Sequence, residues 1–488
     1  MFRWTPFCSP FTDRHTGDRI QEVVDMDLEG GMDLDPEMPK WGTSDNASNM
    51  VKAINNSSVE LYCCLNHTQQ LAIKDTFKRV KDKEDNETMA DIADKCRKLS
   101  DHVKRADNSR KLLYKECEVI SSTDHSLFHL SSPFSPHLPS PHLSSPNLTQ
   151  PQVTKHYPKA VPVANDTRWD STYSCMEGIL YHEECFHRLA RRGELVVEKD
   201  GEEKNLIPSI ANFLMMKAGV KVLKLCKETT KVFEQEKVPT VPLVTERLYT
   251  MATELKEIAK DKTNKKDNPK AAEFAKVLDE ELEKRFPEYG TTNLVNSMSN
   301  YLNPRLKGVH LKLLGKMEEV KEDMEEKLGE WRKEKEDEVK VVQEEEIEKE
   351  APKKLSPTEM LKKRMKDQEE KAKGRKAKKS STFRNTSEKQ VTQFTEECDK
   401  YETVLKEAEE DEDILGWWRT HKDALPLLSY MARVVFAVPA ASSKSERVFS
   451  VAGNIVTAKR ARLDPDKVED LVIMKTNLPL LREMGLRK

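Results

Sequence analysis

The chain has 488 residues, of which 37% are hydrophobic and 34% charged, so a large share of it cannot enter a core. Its 82 basic and 85 acidic residues leave a net charge of -3, which excludes a whole-chain electrostatic argument for nucleic-acid binding; any basic surface must be local. Nine cysteines (Cys8, Cys63, Cys64, Cys96, Cys117, Cys175, Cys185, Cys226 and Cys398) include no Cys-x-x-Cys pair, and they read as reduced thiols of an intracellular protein. The opening MFRWTPFCSP carries no apolar leader and no run approaches a membrane span, so a soluble cytosolic or nuclear protein is expected.

In chain order, Ile20, Val23, Val24 and Leu28 fall near a helical period. Val51 to Leu113 is largely helical in pattern, with Leu71, Ile73, Phe77 and Val80 as the buried side. Ser121 to Pro151 is rich in Ser and Pro with recurring His-Leu; proline removes backbone donors and blocks helix, so a disordered insertion is expected. Helical pattern returns from Asp166 to Lys312. Met317, Val320, Met324, Leu328 and Trp331 form an apolar stripe in charged sequence, which predicts a long exposed helix able to self-associate. Glu344 to Gln390 is a charge-run linker, acidic and then basic. Its KGRKAKK (Lys373 to Lys379) is a weak nuclear-import pattern. A last compact element runs from about Val391 to Leu481.

Within that element, Leu425, Leu428, Met431, Ala432, Val435 and Phe436 make one apolar helix face, ended near Val438-Pro439. Asp464-Pro465 starts another helix, with Asp as N-cap and Pro at the first helical position. Its apolar face is Val468, Leu471 and Val472, with Leu478 as a further candidate. Ser443-Lys444-Ser445-Glu446 fits a capping box. Lys459, Arg460 and Arg462 form a basic cluster, for which a solvated face is the plainer reading.

Four further patterns lie upstream. Thr43-Ser44-Asp45-Asn46-Ala47-Ser48-Asn49-Met50 follows Met38-Pro39-Lys40-Trp41-Gly42, which has no β-branched run and predicts a poor strand. Asp45 alone reads as a helix N-cap. Cys64-Leu65-Asn66-His67 precedes Gln70-Leu71-Ala72, and no second ligand pair follows at zinc-finger spacing, so no metal ligands are expected. Arg168-Trp169 begins a helical stretch, with Trp169 either core or a stacking face. Asn303-Pro304-Arg305-Leu306-Lys307 punctuates another.

The segment from Trp417-Trp418 through Asn477 closely resembles the C-terminal dimerisation region of hAT-family transposases, including the transposase-derived BED-zinc-finger proteins. The resemblance rests on the paired Trp, Pro426-Leu427-Leu428, Ser442-Ser443-Lys444-Ser445-Glu446-Arg447-Val448-Phe449-Ser450, Ala452-Gly453, Lys459-Arg460 and Asn477. It implies an RNase H-like enzyme in which an Asp, a second Asp and a late Glu hold two divalent ions on a scissile phosphate, with an all-helical insertion before the Glu. Asp45 matches the second Asp and Glu446 the Glu. Cys64 and His67 match the family's Cys-x-x-His, Arg168-Trp169 its Arg-Trp, and residues 303–307 its Leu-Asp-Pro-Arg-Phe-Lys, with Asn303 and Leu306 substituted. His67, Arg168 and Trp169 are thereby implied in nucleic-acid contact, the Trp by stacking on a displaced base. Trp417, Trp418, Leu428, Phe436, Phe449, Val468, Leu471 and Val472 are implied in the dimer interface. The alternative is that they serve one subunit's core, and for the Trp pair the two stand even.

The family's first Asp is expected further upstream of Asp45 than this sequence reaches, and no BED finger precedes it. Asp13 and Asp18 are poor substitutes. Asp45 and Glu446 therefore read as vestigial, with no cofactor; two Mg or Mn ions would follow only from an intact site. The expected fold class is α/β plus α: an incomplete RNase H-like domain interrupted by an all-helical insertion, with disordered linkers. The expected divisions are 1–120 partial RNase H-like region, 121–160 Ser/Pro-rich insertion, 161–340 helical insertion domain, 341–390 charged linker and 391–488 dimerisation region. The expected function is non-catalytic dimerisation, as homodimer or with a related hAT-type protein, in a nuclear setting with only weak grounds for DNA contact and no membrane. A DNA transposase and a non-functional truncated product are the alternatives.

Overall fold

Two short parallel strands and a long series of helices make up the computed structural model, which describes residues 16, 18–22, 41–56, 59–81, 86–127, 160–164, 168–199, 202–261, 269–331, 392–409, 412–456, 463–483 and 485. In chain order the elements are β1 (Trp41–Ser44), α1 (Ser48–Asn55), β2 (Glu60–Cys63), α2 (Leu65–Arg79), α3 (Met89–Arg105), α4 (Asp107–Leu127), α5 (Trp169–Tyr181), α6 (Glu183–Arg191), the hairpin β3 (Val196–Lys199) and β4 (Glu202–Asn205), and α7 (Ile210–Phe233). There follow α8 (Val244–Lys260), α9 (Pro269–Arg285), α10 (Leu294–Leu302), α11 (Val309–Leu314), α12 (317–331), α13 (392–399), α14 (Ile414–His421), α15 (Pro426–Val435), α16 (Ser443–Ile455) and α17 (Pro465–Glu483). The chain is thus mostly helical with a small parallel sheet. Val23, Val24, Leu28, residues 128–151 of the Ser/Pro stretch, the charged linker with Lys373 to Lys379, and Lys459, Arg460 and Arg462 lie outside the described residues. The first seven residues of the stretch, Ser121 to Leu127, are helical and end α4, which corrects the expectation of a disordered insertion there, since its prolines begin only further on.

Contacts divide the chain into two units: residues 1–68, 230–249 and 286–488 in the first, and 69–229 and 250–285 in the second. The second unit is helical apart from β3 and β4. Its core is built from Ile73, Phe77, Ile92, Leu99, Phe186, Phe213, Leu223, Leu255 and Phe274, all buried. The helices begin where their sequence says they should. Thr88 opens α3 with a reciprocal capping box: its backbone N–H donates to Asp91 Oδ2 at 2.8 Å, while Asp91 N donates to Thr88 Oγ1 at 3.1 Å. Buried Met89, Ile92, Cys96, Leu99 and Val103 then repeat at helical spacing.

The first unit contains the parallel pair. β1 pairs with β2 in register Trp41↔Glu60, Gly42↔Leu61, Thr43↔Tyr62 and Ser44↔Cys63. The sequence of Met38 to Gly42 predicts a poor strand; among the described residues a four-residue strand, Trp41–Ser44, does form. Trp41 and Thr43 are residue types that strands favour, Gly42 is not, and the surroundings complete the strand. Trp41 packs edge-on against Trp331, centroids 5.6 Å apart, and its indole N–H donates to Glu60 Oε2 at 3.1 Å. Gly42 leaves room for Val59, whose Cγ1 would lie 3.0 Å from any added Cβ. Tyr62 is buried and donates to Asn296 Oδ1 at 2.6 Å.

A further correction concerns α12. Met317, Val320, Met324, Leu328 and Trp331 are all buried, so the stripe read as a long exposed helix packs within its own unit. Trp331 lies between Trp41 and Tyr430, the latter ring 6.1 Å away. Gly308, at φ 71, approaches Met317 so closely that an added Cβ would sit 2.9 Å from its Cε.

Candidate functional site

The parallel strands both end against the segment that leads into α16. Thr43 Oγ1 donates to the Pro439 carbonyl at 2.9 Å, and Cys64 N donates to the Ser44 carbonyl at 2.7 Å. Leu65 N donates to the Ala440 carbonyl at 3.0 Å, and Ser442 N donates to Cys64 Sγ at 3.3 Å. Ala440 N in turn donates to Thr240 Oγ1 at 2.9 Å. These bonds bridge almost four hundred residues of chain and bring the Asp45 and Glu446 patterns to the carboxyl end of one sheet. Asp45 follows β1 directly, and Glu446 lies in the first turn of α16. That end of a parallel sheet is where side chains from the strand–helix loops converge.

Asp45 is half-buried and closes a local turn, its Oδ1 accepting from Ala47 N at 3.2 Å. The capping box read at residues 443–446 does not form. The helix starts one residue earlier than the box requires, with Ser442 as a cap that makes no side-chain bond, and Ser443 Oγ instead donates to Glu234 Oε1 at 3.3 Å. Asn66 Nδ2 reaches both Ser443 Oγ at 3.4 Å and Glu234 Oε1 at 3.5 Å. Arg447 pairs with Glu236 and donates to the Glu234 carbonyl at 3.2 Å. Glu234 is therefore a third acidic residue at this end of the fold; its place at the end of α7, far from both motifs in sequence, gave no signal of it. Asp18 lies apart from it, in an ion pair with Lys52 at 2.7 Å. Among the described residues, the one trio of ligand atoms close enough for a shared ion contains neither Asp45 nor Glu446.

The nucleic-acid set divides between the units. His67, half-buried, lies in the first turn of α2, in the first unit. Arg168 and Trp169 belong to the second, where exposed Arg168 precedes α5 and half-buried Trp169 starts it. Trp169 meets Tyr173 edge-on at 6.3 Å, and Lys227 Nζ stands 4.1 Å from the Tyr173 ring centre. Burial, then Glu177, push the Tyr173 phenol up to about 12.

The dimerisation set also separates, into an inner and an outer group. Trp417, Trp418, Leu428 and Phe436 are all buried in the first unit. Trp418 donates its indole N–H to the Leu302 carbonyl at 3.0 Å and lies 5.4 Å from Tyr401. Tyr401 enters this cluster from a π-turn, Lys400–Val404, that continues α13. From α13 itself, Glu397 Oε2 accepts from Leu427 N at 2.9 Å and Leu428 N at 3.1 Å, capping α15 with a buried carboxylate. α16 and α17 pack together through Val448, Ile455 and Val472, with Val468 beside them. Outside that seam Phe449 is 68% exposed, Val456 48%, Leu471 42% and Met474 54%. Val456 and Met474 escaped the sequence reading, although each stands at helical spacing from Phe449 or Leu471.

Residues 392–478 match the hAT family C-terminal dimerisation region. Two maize (Zea mays) proteins, the "Putative AC transposase" and the "Putative AC9 transposase", are each 40% identical to this chain over 81 residues. The shared segment is 16% of this chain and 10% of each relative, so the chain spans about a tenth of the curated relatives' length. Residues 392–478 thus carry the hAT family C-terminal dimerisation region, and the chain is distantly and partially similar to the maize Ac transposases.

Proposed function

We propose that the protein is a non-catalytic, transposase-derived dimerisation protein of the nucleus, pairing with itself or with a related hAT-type chain. The observation that carries this is the exposed apolar set on α16 and α17: Phe449 on α16, Val456 just past its end, and Leu471 and Met474 on α17 remain exposed while their neighbours seal the seam between the two helices. Large apolar side chains left in water at regular helical spacing are what a partner covers. Within this reading the buried set, Trp417, Trp418, Leu428 and Phe436, serves the core of the first unit and does not touch the partner. Asp45 and Glu446 are relics of an RNase H-like metal site, and the Arg168–Trp169 pair retains at most weak contact with DNA. The test is sedimentation equilibrium of the full chain over a dilution series. The reading expects reversible dimer formation; a chain monomeric at every concentration, alone and with hAT-type relatives, would overturn it.

A second reading, an active DNA transposase, is favoured by one observation: the hydrogen bonds that hold the Asp45 and Glu446 segments at the same end of β1 and β2. It predicts Mn- or Mg-dependent nicking of DNA that Glu446→Gln abolishes.

A further inference from the structure

Cys117 meets a histidine and a cysteine more than sixty residues further along the chain inside the helical second unit. Cys117 is in the middle of α4, His182 is the residue between α5 and α6, and Cys185 lies in the first turn of α6. Cys117 Sγ is 3.2 Å from Cys185 Sγ and 3.4 Å from His182 Nδ1. All three ligand atoms lie within 4.8 Å of one another, and the residues are buried at 0%, 1% and 3% exposure. We propose that Cys117, His182 and Cys185 form a structural zinc site that ties α4 to the α5–α6 junction.

Geometry, charge and helix position each support this. Tetrahedral bonds of about 2.3 Å to sulfur and about 2.0–2.1 Å to nitrogen put the ligand atoms roughly 3.5–3.8 Å apart. The sulfurs need only part by about half an ångström to admit the ion. Two thiolates and a neutral imidazole cancel the charge of a divalent cation, so the loaded site carries no net charge into the interior, where a lone charge is costly. Soft sulfur with imidazole is also a donor set that suits zinc and not magnesium or calcium.

His182 breaks the helix at φ -101, ψ 15, which turns its ring and the first turn of α6 toward α4. Cys185 then sits at a helix N-terminus, where the backbone dipole favours a thiolate. Around the trio, Glu116 is held by Arg192 at 2.5 Å and Arg188 at 3.6 Å, so the neighbouring charges are themselves compensated. The Tyr181 ring stands edge-on to His182 at 4.9 Å and fixes its plane.

Zinc binds thiolates, so its entry displaces both thiol protons to solvent and binding strengthens as pH rises. Three protein ligands would leave the ion's fourth position open. Without the ion the same residues make a hydrogen-bonded thiol–imidazole group, and a disulfide would require the sulfurs to close to about 2.05 Å.

The experiment is metal analysis of the full chain, purified under reducing conditions without chelator, followed by cobalt titration of the metal-free form. One zinc per chain is expected, with cobalt giving a thiolate charge-transfer band. His182→Ala should weaken binding at least about 10-fold, since losing a ligand costs no less than losing its supporting shell. Cys117→Ser with Cys185→Ser should abolish the band, while Cys96→Ser, a buried thiol of the same unit, leaves it intact. Should the double variant fail to fold, the His182→Ala titration decides alone. A reduced, folded chain without stoichiometric zinc, a band unchanged in His182→Ala, or an intact mass two hydrogens short at Cys117 and Cys185 would each overturn the proposal.

Discussion

The α14–α15 and α16–α17 pairs lie within the same matched dimerisation region, yet they treat their apolar residues in opposite ways. α14 and α15 turn theirs inward: Trp417, Trp418, Leu428 and Phe436 are enclosed by Tyr401, the Leu302 carbonyl and the rest of the first unit. α16 and α17 bury a narrow seam and leave Phe449 and Leu471 outside. An apolar helix face in a dimerisation region is thus not a dimer interface by default. The inner pair serves the core of the first unit, and the outer pair leaves an apolar surface exposed.

The largest effect expected from breaking this contrast is Trp418→Ala. It removes a buried indole and strands the Leu302 carbonyl, and should cost about 3–5 kcal/mol of folding stability, read by chemical denaturation. Association should fail only as folding fails. On the outer face, Phe449→Asp with Leu471→Asp should weaken self-association by about 2 kcal/mol or more, with the unfolding transition little changed. A Glu397→Gln exchange keeps the size of the cap on α15 but removes its charge, and should cost about 1 kcal/mol in the same denaturation assay without moving the dimer constant.

Acid provides the finest separation. Burial raises the Glu281 carboxyl, but bonds from Lys284, Arg79 and Arg285 outweigh it and hold the group below its ordinary value. A depressed folded pKa stabilises above the unfolded value, about 4.3, and that contribution fades as pH falls through the folded value. Denaturation of the wild type should show this loss at acid pH, and Glu281→Gln should flatten it. The α16–α17 face, being apolar, should associate with the same strength until the fold itself gives way.

Sequence and structure agree best where a local signal is sufficient. Asp464-Pro465 announces α17, and Asp464 Oδ1 does accept from Asp466 N at 3.1 Å. The residues preceding Asp45 misled because WGTS becomes a strand only through β2, Glu60 and Trp331, none of which is nearby in sequence. The α12 stripe was legible as a helix face, but what covers it, Trp41 and Tyr430, was not. That the ends of β1 and β2 meet the segment leading into α16 was implied only by the family resemblance and rests on bonds that bridge most of the chain. Cys117 and His182 stand 65 positions apart, with the Ser/Pro stretch between them, so no spacing rule could pair them.

The most direct test of the central claim is the dimer constant of the full chain measured beside that of its Phe449→Asp, Leu471→Asp variant, with unfolding followed on both. The account predicts a reversible wild-type dimer, a variant that is largely monomeric at the same concentrations, and matching unfolding transitions. A variant that associates as tightly as the wild type would contradict it and return the dimer interface to some other face of the molecule.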